Sequence, residues 1–363
     1  MSGTDVWELL RRNGEQDTPF TVDVHAHAVF PEVFALIGDD PAAIAHQQRE
    51  AESFGAESTE INLHVIQQIG RRLTDLDARL QAMDEMSVDV QVVSPSPVHY
   101  HEWAEREGAA QLAAAVNDGI ARLVGAAPHR LLGLGVVPLR YPMDAVRELR
   151  RAVSDLGLVG VEISTNAAEI ELGDPELEEF WCAAEALGAI VFIHPWGCSL
   201  GTRLDQYYLA NTVGQPVETA VALSHLIFSG TLDRHPDLTI IAAHGGGYLP
   251  TYIGRSDHAW RVRPDARRCA APPSEYLHRL YFDSLVYDPE ALRHLVGKVG
   301  SDQVLLGSDY PFDMGVTDPV VRLAAAELPA RAVAQIRGET ISELLMRATP
   351  AVRTHRNRKA PAK

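Results

Sequence analysis

The run Val22-Asp23-Val24-His25-Ala26-His27 sets two imidazoles two residues apart in an apolar, β-branched stretch. In a strand, positions i and i+2 face the same side, so both rings project together as a chelating pair. Taken alone, the spacing leaves two packed or exposed histidines open as a reading. Three later runs end in the same manner: Ile193-His194-Pro195-Trp196, Ala243-His244 followed by three glycines, and Gly307-Ser308-Asp309-Tyr310-Pro311. Each places a possible ligand or proton carrier at the end of a strand-like run. Imidazoles and a carboxylate gathered this way suit a borderline divalent ion with three or four protein ligands and a position left for water.

Such a set must be carried on strands that converge. Short apolar, β-branched runs recur at Thr21 to Val24, Val88 to Val93, Leu131 to Val137, Leu158 to Ile163, Ala189 to Ile193, Leu238 to Ala243, Tyr281 to Val286 and Gln303 to Leu306. Runs of this kind read as strands covered on both faces, as in a parallel sheet walled by helices. Helical spacing of apolar residues marks Ala110 to Leu123, Met143 to Leu156, Pro175 to Leu187, Val217 to Leu232 and Pro289 to Val296. Eightfold alternation predicts an α/β fold, a (β/α)8 barrel with a small helical insertion after strand one. Residues 1–18 read as an N-terminal extension, 19–347 as the barrel with its insertion at about 28–75, and 348–363 as a basic tail. The insertion and the long loop Pro195 to Pro216 both start directly after a strand, on the face where barrels keep their active sites.

Composition narrows the partners. Thirty-two Lys plus Arg against 49 Asp plus Glu leave a formal charge of -17, which would repel nucleic acid. No apolar run approaches the roughly 20 residues of a membrane span. Three widely spaced cysteines build neither a disulfide framework nor a thiolate zinc knuckle, so a reduced, cytoplasmic setting is expected.

His25-Ala26-His27, His194, His244 and Asp309, at the ends of strands one, five, six and eight, resemble the amidohydrolase superfamily. Phe192-Ile-His-Pro-Trp196, Ala243-His-Gly-Gly-Gly247 and Leu306-Gly-Ser-Asp-Tyr-Pro-Phe312 resemble its aminocarboxymuconate semialdehyde decarboxylase branch. The likeness runs from about Val22 to Leu345 and includes Gly133-Leu-Gly135 and Gly254-Arg255. It implies one divalent ion, usually zinc with manganese as an alternative, held by His25, His27, His194 and Asp309. It also implies that His244 is the acid/base beside a metal-bound water. A second ion would need a carboxylated lysine after strand four, but that strand reads Gly160-Val-Glu-Ile-Ser-Thr165, which leaves only a bridge through Glu162.

The family clamps a substrate carboxylate with two arginines. One, reaching in from a neighbouring subunit, matches Arg255 and implies a homodimer; the other position, in the insertion, reads Gln67 here, with Arg71 and Arg72 close behind. Tyr208 stands where the family carries Trp in the loop after strand five, and Trp196 and Phe312 complete the candidate substrate contacts. The expected activity is nonhydrolytic decarboxylation of a small unsaturated or aromatic carboxylic acid, with His244 and Asp309 at the chemistry. The same site could instead serve a hydrolase or hydratase acting on an amide, lactone or alkene, and a noncatalytic metal-binding barrel is a third reading. His99 and His101 read as loop or pocket wall, Cys198 as a small buried side chain, Asp23 as a structural hydrogen-bonding residue, and Gly245 to Gly247 as a place of close backbone packing.

Overall fold

The computed structural model describes residues 6–11 and 20–347, so the expected tail at 348–363 and most of the N-terminal extension lie outside the described residues. Eight parallel strands form one sheet in sequence order: β1 (Val22–Ala28), β2 (Val90–Pro95), β3 (Leu131–Gly135), β4 (Gly160–Ile163), β5 (Ile190–Ile193), β6 (Thr239–Ala242), β7 (Tyr281–Asp283) and β8 (Val304–Leu305). The sheet closes through the segment after β8. Ala26 bridges Tyr310 in parallel, His27 N donates to Tyr310 O at 2.7 Å, and Asp309 N donates to His25 O at 2.8 Å. The two segments that carry candidate ligands therefore also make the barrel's last seam.

Strand boundaries follow the apolar runs with shifted ends: those expected to end at Val137, Val286 and Leu306 stop at Gly135, Asp283 and Leu305, while those expected to end at Val24 and Val93 run on to Ala28 and Pro95. Helix α1 (Val6–Arg11) buries Val6, Trp7 and Leu10 in the main core. The insertion is three helices, α2 (Pro31–Ile37), α3 (Pro41–Phe54) and α4 (Ala56–Thr74). Asp40 caps α3 by accepting from Ala42 N at 2.7 Å, ahead of a proline at the first helical position. Around the barrel run α5 (Leu76–Glu85), α6 (Arg106–Ala126), α7 (Pro142–Arg150), α8 (Glu178–Leu187), α9 (Gln215–Phe228), α10 (Thr231–Arg234), α11 (Leu249–Val262), α12 (Pro289–Val299), α13 (Pro319–Ala325) and α14 (Ala330–Ala334).

Two helical expectations are adjusted. The run expected as one helix from Val217 to Leu232 breaks at Gly230, whose φ of 74° no continuing helix accepts, into α9 and α10. Helix α11 carries no clear apolar period, because only Leu249, Pro250 and Ile253 of its 14 residues are buried. A two-stranded hairpin, Asn166–Ala167 with Ile170–Glu171, also follows β4.

Behind the candidate ligands a polar chain links α5 to strands β1 and β2. Arg79 of α5, 1% exposed, donates to Gln91 Oε1 at 2.7 Å and to the His27 carbonyl at 2.5 Å, and its guanidinium lies 5.0 Å from the Tyr310 ring centre. Gln91 Nε2 passes the link to Asp23 at 2.9 Å, and Asp23 also accepts from Ser308 Oγ at 2.6 Å, Ser308 N at 3.0 Å and His25 N at 3.1 Å. Burial pulls the Arg79 guanidinium down to about 10, which leaves it charged at neutral pH. A buried cation is stable only while its acceptors are present, so Arg79→Met should strip α5 from the seam and leave the His27 carbonyl and Gln91 unpaired. The expected loss is about 3 kcal/mol of unfolding free energy in urea denaturation, and a loss under about 1 kcal/mol would refute this role.

Candidate metal centre

Strand parity places the first two candidate ligands. His25 and His27 leave the same face of β1 into the barrel mouth, both fully buried, with Nε2 atoms 3.0 Å apart. Two ring nitrogens this close, each turned towards one point, are what a shared cation requires. Asp309 Oδ1 lies 3.3 Å from His27 Nε2 and 3.5 Å from His25 Nε2. His194, one residue beyond β5, packs its ring 5.0 Å from that of His25 and 4.9 Å from that of His27. One ligand atom from each of His25, His27, His194 and Asp309 lies within 4.8 Å of all the others, so the four sequence-predicted ligands form one metal site.

Hydrogen bonding on the far sides of the rings sets their tautomers. His25 Nδ1 donates to Asp283 Oδ2 at 2.7 Å, and His27 Nδ1 lies 3.2 Å from the Pro95 carbonyl. With the proton held on Nδ1, each Nε2 keeps its lone pair for a ligand. Both ring nitrogens of His194 are buried without a hydrogen-bond partner, an arrangement that costs free energy unless another group satisfies them. These orphaned atoms fit a cation.

The local electrostatics agree. Burial favours the neutral form of Asp309, yet His25, His244 and His27 outweigh it and hold the carboxyl well below its usual range. Burial, then the neighbouring imidazoles, push His194 well below its usual value, so it is a neutral donor. For His27, burial lowers the pKa but the carboxylates of Glu162 and Asp309 overcome it. The pull that these carboxylates exert on a proton is the pull they would exert on a divalent cation.

His244 sits beside the ligands. Its Nε2 is 3.7 Å from Asp309 Oδ2, its Nδ1 is buried without a partner, and its ring centre is 5.1 Å from that of His194. Its φ is 54° and that of Asp309 is 56°, left-handed values uncommon for residues with a side chain. Such strain persists only where the surroundings over-determine it. Here His244 N and Gly245 N both donate to Asp283 at 2.9 Å, and the following glycines leave no room for a side chain. A Cβ on Gly246 would come within 2.7 Å of Phe282, and one on Gly247 within 2.1 Å of the Pro216 carbonyl, so close backbone packing explains the triplet.

Asp283 was not singled out in the sequence, although it ends strand seven as the other site residues end theirs. It joins the His25 ring to the His244 backbone, and the signal for it was available in Tyr281-Phe-Asp283. Glu162 lies behind His27, 3.6 Å from the ring nitrogen turned away from the other ligands, and accepts from Tyr100 Oη at 2.8 Å. It does not stand between two ion positions. His99 accepts from Phe30 N at 3.1 Å and stacks on Phe34, while burial pushes His99 down to about 3 and His101 to about 4; neither joins the ligand group. Cys198 is half-buried, and burial raises its thiol pKa, the wrong direction for a nucleophile.

Above His194 and Asp309 opens a cavity of about 270 Å³. Trp196, Tyr208 and Phe312 line it as expected, joined by Phe54 and Ile66 from the insertion and by Met314. Trp196 is pinned by donating Nε1 to Glu50 of α3, and Tyr208 stacks on Phe54 with ring centres 6.5 Å apart. Gln67, Arg71 and Arg72 are all exposed and lie outside this lining; Asn62 of α4 faces it instead. Arg255 is exposed on α11 and does not line the cavity of its own chain.

Removing the Asp283 carboxylate should therefore loosen the ion without removing a ligand. Asp283→Ala is expected to weaken zinc affinity about 10- to 100-fold in a chelator competition titration. Unchanged affinity would show that the His25 ring is oriented by packing alone.

Residues 22–346 match the family model described as amidohydrolase. The chain is 42% identical over 247 residues to a 2-amino-3-carboxymuconate-6-semialdehyde decarboxylase of Dictyostelium discoideum, covering 68% of this chain and 69% of that one. It is 30% identical to a gamma-resorcylate decarboxylase of Rhodococcus jostii, over 67% of this chain and 79% of the relative. Among solved structures, 5-carboxyvanillate decarboxylase from Sphingomonas paucimobilis superposes with a TM-score of 0.77 at 27% identity, covering 91% of this chain and 99% of that one. The chain belongs to the amidohydrolase family and, within it, to the branch of the metal-dependent decarboxylases.

Proposed function

We propose that this protein removes carbon dioxide from a small aromatic or unsaturated carboxylic acid. The observation that carries the reading is the opening of a largely apolar chamber onto His194 and Asp309 of the four-donor site, with His244 beside Asp309. His25, His27, His194 and Asp309 would hold one divalent ion, zinc by preference for three imidazoles and a carboxylate, with manganese the alternative. When bound, the ion supplies a Lewis acid that polarises substrate oxygens and acidifies water.

The remaining steps fall to the chain's own residues. Trp196, Tyr208 and Phe312 wall the chamber and orient an acid with its carboxyl end towards His194 and Asp309. His244 carries a proton on Nε2: burial opposes its charged form, but the neighbouring carboxylates of Asp309 and Asp283 raise its pKa. It places this proton on the carbon that loses the carboxylate. The C–C bond breaks, its electron pair stays on that carbon and takes up the proton, and neutral carbon dioxide leaves. Turning a carboxylate into an uncharged gas disperses charge, so an apolar chamber favours the product side of this step over the bound acid. The Asp309 carboxylate, 3.7 Å from His244 Nε2, favours the charged ring beside it.

Arg255 belongs to the assembly in this reading. It stands on the outer side of α11 with Tyr248 and Tyr252, which are 45% and 71% exposed and share its face at helical spacing. Aromatic residues with arginine on one face suit a contact between two copies. The protein is read as a homodimer in which Arg255 of each copy reaches the other's site.

Two tests follow. His244→Asn, chosen because asparagine tolerates a left-handed backbone, should keep about one equivalent of metal by elemental analysis while losing on the order of 10² to 10⁴ in kcat. His25→Ala should lose metal and activity together, so loss of metal from the His244 variant would make His244 a ligand and overturn its role. For the dimer, mixing Arg255→Ala chains with His244→Asn chains should recover activity from two inactive preparations, because one site of each mixed dimer is intact. No recovery from a mixture that sedimentation shows to be dimeric would dismiss the cross-subunit arginine.

A further inference from the structure

A second group of metal-ligating side chains stands outside the barrel mouth. Glu178 and Cys182 are four residues apart on α8, which sets them one above the other on a single face, and His235, the residue after α10, packs against that face. One ligand atom from each of the three lies within 4.8 Å of the other two. His235 is only 4% exposed, and both of its ring nitrogens meet carboxylates: Nε2 lies 3.0 Å from Glu178 Oε1, and Nδ1 lies 3.4 Å from Oε2 of Glu185, one turn further along α8. A neutral imidazole has one N–H, so it can donate to only one of them. With that proton on Nδ1, the Nε2 lone pair faces a carboxylate oxygen. Such a contact needs a positive charge, from a second ring proton or from an ion, and the Cys182 sulfur within reach favours the ion. His25 and His27 stand in the same relation at the barrel mouth, where Asp283 takes the part that Glu185 has here.

We propose that Glu178, Cys182 and His235 form a separate site for a zinc-class divalent ion, which clips α8 to the turn between α10 and β6. The donor set selects the class of ion. A thiolate, an imidazole and a carboxylate suit zinc, whereas magnesium and calcium take oxygen ligands. Water can fill the remaining position, because Cys182 is exposed and an ion can enter from solvent. Glu185 holds the ring from behind, and its own Oε1 is fixed by the Asp237 amide at 2.8 Å. Local charge also favours a cation. Desolvation, followed by the carboxylates of Glu178, Glu179 and Glu185, raises the Cys182 thiol against the lowering pull of Arg234, so the sulfur is protonated until a metal displaces the proton. Binding exchanges the S–H bond for a sulfur–metal bond and releases one proton to solvent. Arg234 is the competitor, since its Nε donates to both Glu178 oxygens, at 3.0 and 3.1 Å. Competition and exposure make this site weaker than the buried one, so it fills after the first equivalent. None of the three ligands lies on α11, which carries the face read as the dimer contact. Helix α8 leads into β5 and His235 into β6, the strands whose far ends carry His194 and His244, so an ion here would brace the fold and leave the chemistry alone.

Cadmium is the probe, because its bond to sulfur adds a thiolate-to-metal charge-transfer band in the ultraviolet. The set His25, His27, His194 and Asp309 contains no sulfur, so the band reads the outer site alone. Zinc-loaded protein titrated with cadmium should develop a band that saturates at one thiolate per chain, and zinc added beyond the first equivalent should raise Tm. Cys182→Ser should remove both responses while the first equivalent of zinc stays bound. Arg234→Gln, which frees Glu178, should tighten cadmium binding roughly 5-fold, the worth of one exposed ion pair. A band that survives Cys182→Ser would put the metal on Cys198 or Cys269 and overturn the proposal. So would a titration that gives no band, which would leave the His235 contacts to a second ring proton. A cadmium affinity that Arg234→Gln leaves unchanged would take Glu178 out of the ligand set, and the site with it.

Discussion

Strand β1 buries Asp23, His25 and His27 completely, Asp23 on the other side of a register shift from the two histidines, and everything at the site depends on satisfying those three polar side chains. A parallel strand at the heart of a barrel would normally bury hydrocarbon there. Here their burial forces a choice: either each polar group finds partners or the barrel is destabilised by several kcal/mol at each one. Asp23 finds four donors from β1, β2 and the segment after β8, and burial nonetheless pushes its carboxyl up. His25 and His27 find acceptors for Nδ1 and leave Nε2 turned to a common point. The network that makes the strand tolerable is therefore the network that presents two lone pairs to an ion.

The same economy holds across the seam of the barrel. Ser308 binds Asp23 through both backbone and hydroxyl, Asp309 N binds the His25 carbonyl, and Asp309 then turns its carboxylate onto the imidazoles through a left-handed backbone. Closing the sheet and completing the ligand set are one structural event. Arg79 stands under it from outside the sheet, holding the His27 carbonyl and stacking on Tyr310. A residue there acts on the ion only through positions, yet it touches both segments that carry ligands.

How much of this could be read from the sequence follows from which interactions are local. His25, His27, His194, His244 and Asp309 were legible because each ends an apolar run, and a parallel barrel brings the ends of its strands together whatever the helices do. Asp283 obeys the same rule but escaped notice, since a single aspartate at a strand end advertises no pairing until His25 is seen 2.7 Å away. Arg79 left no trace at all: one arginine on an amphipathic helix reads as a solvated face, and only the tertiary contacts of Gln91, Tyr310 and the His27 carbonyl reverse that. Helix α11 was missed because most of its surface faces away from the core, so the periodic signal on which sequence reading relies is weak.

The chamber was the least legible part, and for a physical reason. Its wall is assembled from α2, α4, the loops after β2, β5 and β8, and the end of α3, segments separated by up to a few hundred residues whose apolar side chains look locally like ordinary amphipathic spacing. The sequence departure at Gln67 signalled that a charge was missing from the insertion, but not what replaced it. In the fold Gln67 points away, and the space is bounded by Phe54, Val65 and Ile66, with Trp196 fixed from behind by Glu50. The metal ligands thus lie at the floor, and the walls are mostly hydrocarbon with Asn62, Asn211 and Gln215 among them. A ligand carboxyl gains by descending to the ion, and the rest of the molecule gains only by shedding water, which separates the part of the protein that performs the reaction from the part that chooses the acid.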